Sequence, residues 1–424
     1  MPDGECVMLR DKRQSGQALV AATVGLVALL AATGLAIDVG YLRYQKRLQQ
    51  SAADSAALAG AAELKFGGSG GYKTAAQQDS SLNGFTDGVN NVTVTPSNPP
   101  STGPNSTDNN SVEVIVSAVQ PTFFMKIVGV NSTTLTARAV AKLTGGGSRG
   151  CLYTLGLGGA GGITTNGTAS IDAPNCGILD DSTLTKNGSG HITAASIGTV
   201  GAVTDHGGGA ITPTPVSGIV AAADPLAYLT PPGTGGACLD GTVKDPPGGG
   251  GGKGGGGGGG TGPQVLNPGN YCTGISVSGK KDVVLNAGTY VITGGGVDFG
   301  GSGTVTGTGV TFYFAATGDS ITFHGKQTIK LTAPTTGNYA GILFYQNQAN
   351  ATAATLDGAN GSKFEGALYF PGAPLTINGA AGSTSAYMIV VVKSVTLNGA
   401  TLNLPADYSG LAGGSPIKDA VLVE

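Results

Sequence analysis

A short strand-like motif ending in glycine recurs through the second half of the chain and restricts its fold more than any other feature. Ile163-Thr164-Thr165-Asn166-Gly167, Leu184-Thr185-Lys186-Asn187-Gly188 and Val203-Thr204-Asp205-His206-Gly207 place their glycines 21 and 19 residues apart. Related motifs end at Gly279, Gly301, Gly325, Gly358, Gly379 and Gly399, at intervals of 22, 24, 33, 21 and 20. A strand with apolar residues two apart, then Asn or Gly at a bend, repeated about every twenty residues, is the pattern of a coiled β-solenoid. One turn cannot bury its apolar face alone, whereas stacked turns can. A β-sandwich also strings short strands between regular turns. The whole-turn period favours the solenoid, with the 33-residue interval as an inserted loop.

Two stretches break the repeat. Residues 212–232 are proline-rich and unsuited to a central strand. Residues 248–260 are glycine except for Lys253, and read as a disordered loop. Lys253 is followed by Gly254, not Ser or Thr, so this is no phosphate-binding loop. With 76 glycines, no Trp and 6% aromatic residues, the expected core is thin and built from Val, Ile, Leu and Ala.

Four cysteines, Cys151, Cys176, Cys238 and Cys272, fall within the repeat region without the clustered spacing of a zinc site. An even set of this kind reads as disulfides formed in an oxidising compartment, with three connectivities open. Position favours Cys151 with Cys176 and Cys238 with Cys272. The first pair lies 25 residues apart, close to one turn, at the start of the repeat where a first turn would lack a stacking partner. The second brackets the glycine tract.

Near the N-terminus, residues 18–37 carry no charge and no proline. Twenty such residues match the hydrocarbon thickness of a bilayer. Arg10–Arg13 with Gly34-Leu35-Ala36 would also suit a cleaved signal peptide, but that apolar core normally runs only ~7–15 residues, so a retained anchor is expected. Arg10, Lys12 and Arg13 precede the span and Arg43, Lys46 and Arg47 follow it, leaving charge bias nearly balanced. The cysteines place the C-terminal side outside the cytoplasm, with Cys6 on the other side.

Helix-favouring residues continue beyond the span to Leu64. Ala52, Ala56 and Ala59 form a small face that either admits a partner's backbone or simply favours helix. Gln14-Ser15-Gly16-Gln17-Ala18-Leu19, Leu35-Ala36-Ile37-Asp38-Val39-Gly40 and the run from Leu48-Gln49-Gln50 to Ala59-Gly60-Ala61 together resemble the N-terminal module of TadG-like proteins of the bacterial tight-adherence (Flp) pilus system. The block Pro121-Thr122-Phe123-Phe124, Gly129-Val130 and Thr136-Ala137-Arg138-Ala139-Val140-Ala141 is similar to the same family. The resemblance implies a membrane-anchored component working with other tight-adherence pilus assembly components. Relatives cut by a prepilin peptidase carry Glu five residues after the cleaved Gly, where this chain has Ala21, so no cut after Gly16 is expected. No von Willebrand type A domain follows either: Asp180-Asp181-Ser182-Thr183-Leu184 lacks the second serine of its metal motif.

Little else in the sequence speaks of chemistry. A net charge of −3 leaves no electrostatic footprint for nucleic acid. Of His191, His206 and His324, the last two precede a repeat glycine in a slot otherwise held by Asn or Ser, which suits a turn. Asp180 and Asp181 read as solvated turn acids. No catalytic, cofactor-binding or metal residue is expected, and the protein is read as non-enzymatic.

The expected fold class is α+β, with a long N-terminal transmembrane helix, a small membrane-proximal α+β region and a large right-handed β-solenoid (β-helix). The segments are a cytoplasmic tail (1–16), the span and its helical extension (17–66) and an α+β region of loops and short strands (67–144). A hinge (145–149) and the solenoid (150–424), with its glycine-rich loop at 246–263, complete the chain. The expected location is the bacterial inner membrane, single-pass, with the C-terminal domain periplasmic or extracellular. An alternative role is a surface adhesin whose Thr- and Asn-rich faces bind a glycan or another surface.

Overall fold

The computed structural model describes residues 15–66, 70–144, 150–158, 161–244, 262–324, 327–358, 361–379 and 385–424. The tail before residue 15, the 145–149 hinge and residues 246–261 of the glycine-rich loop lie outside the described residues. The chain forms two compact units. One runs to Leu143 and takes back Ala420–Glu424; the other is Thr144–Asp419.

In the first unit, α1 (Ser15–Glu63) is a single helix of 49 residues. Its first half is apolar all round, with Leu19 68% and Leu30 62% exposed. Mean hydropathy reaches 2.3 in its most apolar window, enough to cross a membrane by length and composition. Its second half is amphipathic in a different sense, because the buried stripe is made of small residues. Ala52, Ala53, Ala56, Ala57 and Ala61 are fully buried, covered by α2 (Gly71–Leu82) and by a sheet of the same chain. Of the expected small face, Ala52 and Ala56 thus serve internal packing, while Ala59 is only half-buried.

Where loops and strands were expected, α2 forms because Tyr72, Ala76 and Ser80 recur every four residues and bury together. The sheet contains β1 (Val92–Ser97), β2 (Ser111–Pro121) and β3 (Ser132–Thr144), paired antiparallel. Val112, Val114, Val116 and Ala118 of β2 alternate inward onto the helices. Fully burying each valine contributes about 1.5–3 kcal/mol. The fourth strand is Asp419–Leu422, beside β3, so the chain end belongs to this sheet and not to the solenoid.

The second unit is a parallel β-solenoid of about ten turns. Its turns are not stacked in chain order. The chain starts in the middle of the stack at Gly150–Thr154 and winds outward through Ile163–Gly167, Leu184–Gly188 and Val203–Asp205. The proline-rich stretch carries it away, and winding resumes at the opposite end with Gly241–Val243, paired to Ile275–Val277. From there it returns to the middle. Met388–Asn398 stacks on Gly150–Thr154 and on Ile163–Gly167. The turn holding Cys151 is thus an interior one, contrary to the expectation that it lacks a neighbour. Thr144 Oγ1 lies 3.4 Å from the Asp419 carbonyl, so the chain reaches and leaves this unit at one place.

Repeat glycines close the bends with φ of 70° at Gly167, 77° at Gly379 and 59° at Gly399, a region other residues enter at a cost. The scarce aromatic residues are concentrated in the interior of one half, which makes that core thicker than composition suggests. Phe299, Phe323 and Phe364 stack at 5.4 and 5.5 Å. Tyr271, Tyr290, Phe312 and Phe344 form a second column at 5.8, 5.2 and 5.7 Å. Each ring pair adds about 0.5–1.5 kcal/mol beyond burial.

Residues 222–230 run outside the sheet, where Leu226 and Leu229 bury against it. Tyr345 donates its hydroxyl to the Leu229 carbonyl (2.9 Å), Tyr339 to Thr230 (2.8 Å) and Tyr369 to the Asp224 carboxylate (2.8 Å). The prolines fit this path because it needs no ladder donors.

Candidate functional site

On one outer face of the solenoid the repeat places threonine at the same register in seven consecutive turns. The row runs Thr204, Thr185, Thr164, Thr396, Thr376, Thr355, Thr322. At about 4.8 Å per strand it extends about 29 Å. Two residues further along each strand lies a second outward row. There Asn187 donates to Asn166 (3.2 Å), Asn166 to Asn398 (2.9 Å), Asn398 to Asn378 (2.9 Å) and Asn378 to Asp357 (2.6 Å). Asn166, Asn398 and Asn378 each spend one donor and one acceptor along the ladder, which fixes their rotamers and leaves the remaining N–H and lone pair of each toward solvent. The result is a lattice of hydroxyls and amides, ended by the Asp357 carboxylate and already held in place. Among the described solenoid residues no Phe or Tyr is among the exposed large hydrophobic side chains; the exposed rings in this row are the imidazoles of His206 and His324.

Other polar residues are absorbed by structure. Asp180 and Asp181 are buried, not solvated, at 0% and 3% exposure. Asp180 accepts from Thr154 Oγ1 (2.5 Å) and the Ser182 amide (3.0 Å), and Asp181 from the Ala222 amide (2.7 Å). Burial pushes both carboxyls above the ordinary aspartate value. The burial follows from their position on the turn beside Thr154, a placement the adjacent-acid pattern does not reveal. His191 is held between Asp172 (2.8 Å) and Ser170 (3.2 Å). His206 and His324 take ordinary ladder bonds through their backbone amides, to Lys186 and Phe299. Among the described residues no three His, Cys, Asp or Glu side chains converge.

The structure joins Cys151 to Cys176 and Cys238 to Cys272, with Cα separations of 5.8 and 5.4 Å. The first bond ties neighbouring turns in the middle of the stack. The second ties the turn of Gly241–Val243, whose pairing among the described residues is with Ile275–Val277 alone.

In the first unit, Asp38 joins two parts of the chain that are far apart in sequence. Its carboxylate is fully buried and accepts the backbone amides of Phe123 (2.9 Å), Phe124 (2.9 Å) and Met125 (2.6 Å). These amides open the short 3-10 helix Met125–Val128, whose unpaired N–H groups favour an anion. One turn earlier on α1, a Cβ at Gly34 would lie 2.7 Å from the Phe124 ring, so only glycine lets the ring close on the helix. Tyr41 meets Phe123 edge-on at 5.2 Å.

The family model for Flp pilus-assembly TadE/G-like proteins matches residues 16–63, and that for Tad-like Flp pilus-assembly proteins matches 44–141. The N-terminal part of the chain carries Tad-type Flp pilus-assembly domains. No curated protein and no solved structure matches the chain. The Tad region contains both motifs that Asp38 joins, and the solenoid lies outside the matched residues. Further along the Tad helix, Gln49 is fully buried and donates to the carbonyls of Val116 (2.6 Å) and Leu135 (2.8 Å), linking α1 to β2 and β3. At the far edge, Arg138 bridges the buried Glu113 and the exposed Glu424 carboxylate (2.5 Å). Arg138 thus ties β3 to the residues that follow the fourth strand, Asp419–Leu422.

Proposed function

We propose that this protein is a membrane-anchored structural component of a bacterial tight-adherence (Flp) pilus or a related envelope assembly. In this reading α1 spans the inner membrane once and the solenoid stands on the periplasmic or extracellular side. The observation that carries it is the coincidence of the Tad matches with the apolar helix and its Asp38 clamp. Two disulfides support an oxidising compartment for the solenoid. The protein acts by holding and displaying, and no catalytic step is assigned to it. Tagged protein should co-isolate with other Tad pilus assembly components in detergent extracts of the inner membrane. Protease added to spheroplasts should digest what lies beyond the span. Protection of the solenoid, or recovery of the protein free of the membrane, overturns the reading.

The threonine and asparagine rows favour a second role, in which the solenoid face itself adheres to an ordered polar surface. A rigid lattice loses little side-chain entropy on contact, which favours binding. Retention of the full chain in detergent on crystalline cellulose or chitin tests this, with Thr396→Lys and Thr164→Lys expected to abolish retention. Equal retention of the variants sinks it.

A further inference from the structure

We propose that residues 121–130 form a wedge that enters the lipid leaflet on the C-terminal side of the span, where its apolar side chains meet acyl chains. This rests on the reading of α1 as a membrane anchor, but not on which way the anchor faces. The wedge is tied to α1 at two heights, by the Phe124 ring over Gly34 and by the Asp38 carboxylate on the amides of Phe123 to Met125. If residues 18–37 fill the hydrocarbon, at about 1.5 Å rise per residue, Gly34 lies about 4.5 Å inside its boundary. The wedge is therefore held at the depth where acyl chains begin.

Its surface suits that depth. Ile127 and Val128 are 80% and 79% exposed, and Phe123 and Phe124 nearly half. Between wedge and span lies an open apolar cleft of about 690 Å³, walled by Val27, Leu30, Leu35, Phe124, Ile127 and Val128. In water such a surface is unfavourable; beside a lipid-exposed helix it is continuous with the helix's own apolar face. The exposed Lys126 side chain has a long apolar stem that lets its ammonium reach the headgroups. The Asp38 carboxylate, three bonds satisfied without water, can sit at this boundary where an unpaired charge could not. A partner's transmembrane helix is a poorer occupant. Such helices pack through small residues, and the Gly34 notch is already filled by Phe124.

The chain has no Trp, so one introduced indole reports a single site. The full chain carrying Ile127→Trp, Val128→Trp or Leu30→Trp is reconstituted in phosphatidylcholine–phosphatidylglycerol vesicles with acyl chains brominated at shallow or deep positions. Blue-shifted emission is expected from all three. Shallow bromines should quench the wedge indoles by a fraction comparable to that lost by Leu30→Trp to deep bromines. Leu30→Trp quenched with both wedge indoles unquenched overturns the wedge and leaves the anchor standing, red emission then indicating water and blue emission a protein cover. If none is quenched, the anchor reading falls and the wedge with it.

Discussion

Asn166 donates a 2.9 Å hydrogen bond to Asn398, a residue 232 positions away in the chain. The bond lies where the two halves of the solenoid meet, and on either side of it the asparagine ladder continues without a break in register. Two segments that wind separately therefore finish as one stack.

That junction can be probed by comparing its polar and apolar contacts. Asn398→Ala removes ladder bonds at a partly solvated surface and should cost about 1 kcal/mol. Leu397→Ala, at a fully buried neighbour, should cost about 2–5 kcal/mol. Denaturant unfolding of the two variants in detergent should rank them in that order. The reverse order would mean that the ladder, not the core, holds the halves together.

The Asp38 clamp should be visible by proteolysis. Asp38→Ala leaves three amides without their acceptor, at about 1.5–3 kcal/mol for each bond to a charged group before relaxation. Gly34→Val drives a side chain into the Phe124 ring. Both variants should be cut by trypsin at Lys126 in detergent at least several-fold faster than the parent. Unchanged cleavage would show that the segment is held by other contacts.

Reduction of the two disulfides should have unlike local effects. Each closes a loop of 25 or 34 residues, and chain-entropy arguments give about 3–4 kcal/mol apiece. The Cys238–Cys272 bond ties a turn with one stacking neighbour among the described residues, so Cys238→Ser with Cys272→Ser should raise hydrogen exchange selectively over residues 264–285. Cys151→Ser with Cys176→Ser loosens a turn covered on both sides and should produce less local exchange. Uniform exchange in both pairs would argue against an end-fraying stack.

Acid should act on the two units in opposite directions. Burial lifts the folded values of Asp180 and Asp181 above the ordinary 3.8. Their contribution is then fully present below 3.8 and is lost as pH rises through the lifted values. Burial alone would lift Glu113 too, but hydrogen bonds from Ser101 and Arg138 bring it below the ordinary 4.5. Its contribution is present above 4.5 and is lost as pH falls through the lowered value. On acidification from pH 7, exchange protection around Asp180 should therefore rise, while that in β2 and β3 should begin to fall only below 4.5. Asp180→Asn should stabilise the solenoid near pH 7 and lose that advantage on acidification. A variant weaker than the parent at pH 7 would contradict a buried charge there.

The residues show plainly which features a sequence exposes. The span, the period and the alternation of Val112, Val114 and Val116 are local patterns, legible because a pleat or a coil repeats them. The order of turns is not local. Nothing in Val395-Thr396-Leu397-Asn398 distinguishes a stacking partner at Thr376 from one at Thr164, and it has both. Helix α2 was hidden because Tyr72, Ala76 and Ser80 are too weakly apolar to mark a face until β1 and α1 cover them. Asp38 stood in view within a recognisable motif, but its partners are backbone amides, which carry no residue signature.

Because the chain enters and leaves the solenoid at its middle, both ends of the stack lie away from that point and are linked to each other by the run through residues 222–230. A turn gained by duplication at Val203–Asp205, or lost near Gly241–Val243, would change the height of the stack without disturbing Thr144 and Asp419 at the tether. Lineages could thus tune the length of the solenoid in either direction while residues 15–143 remain as they are, provided the run through residues 222–230 changes length with it.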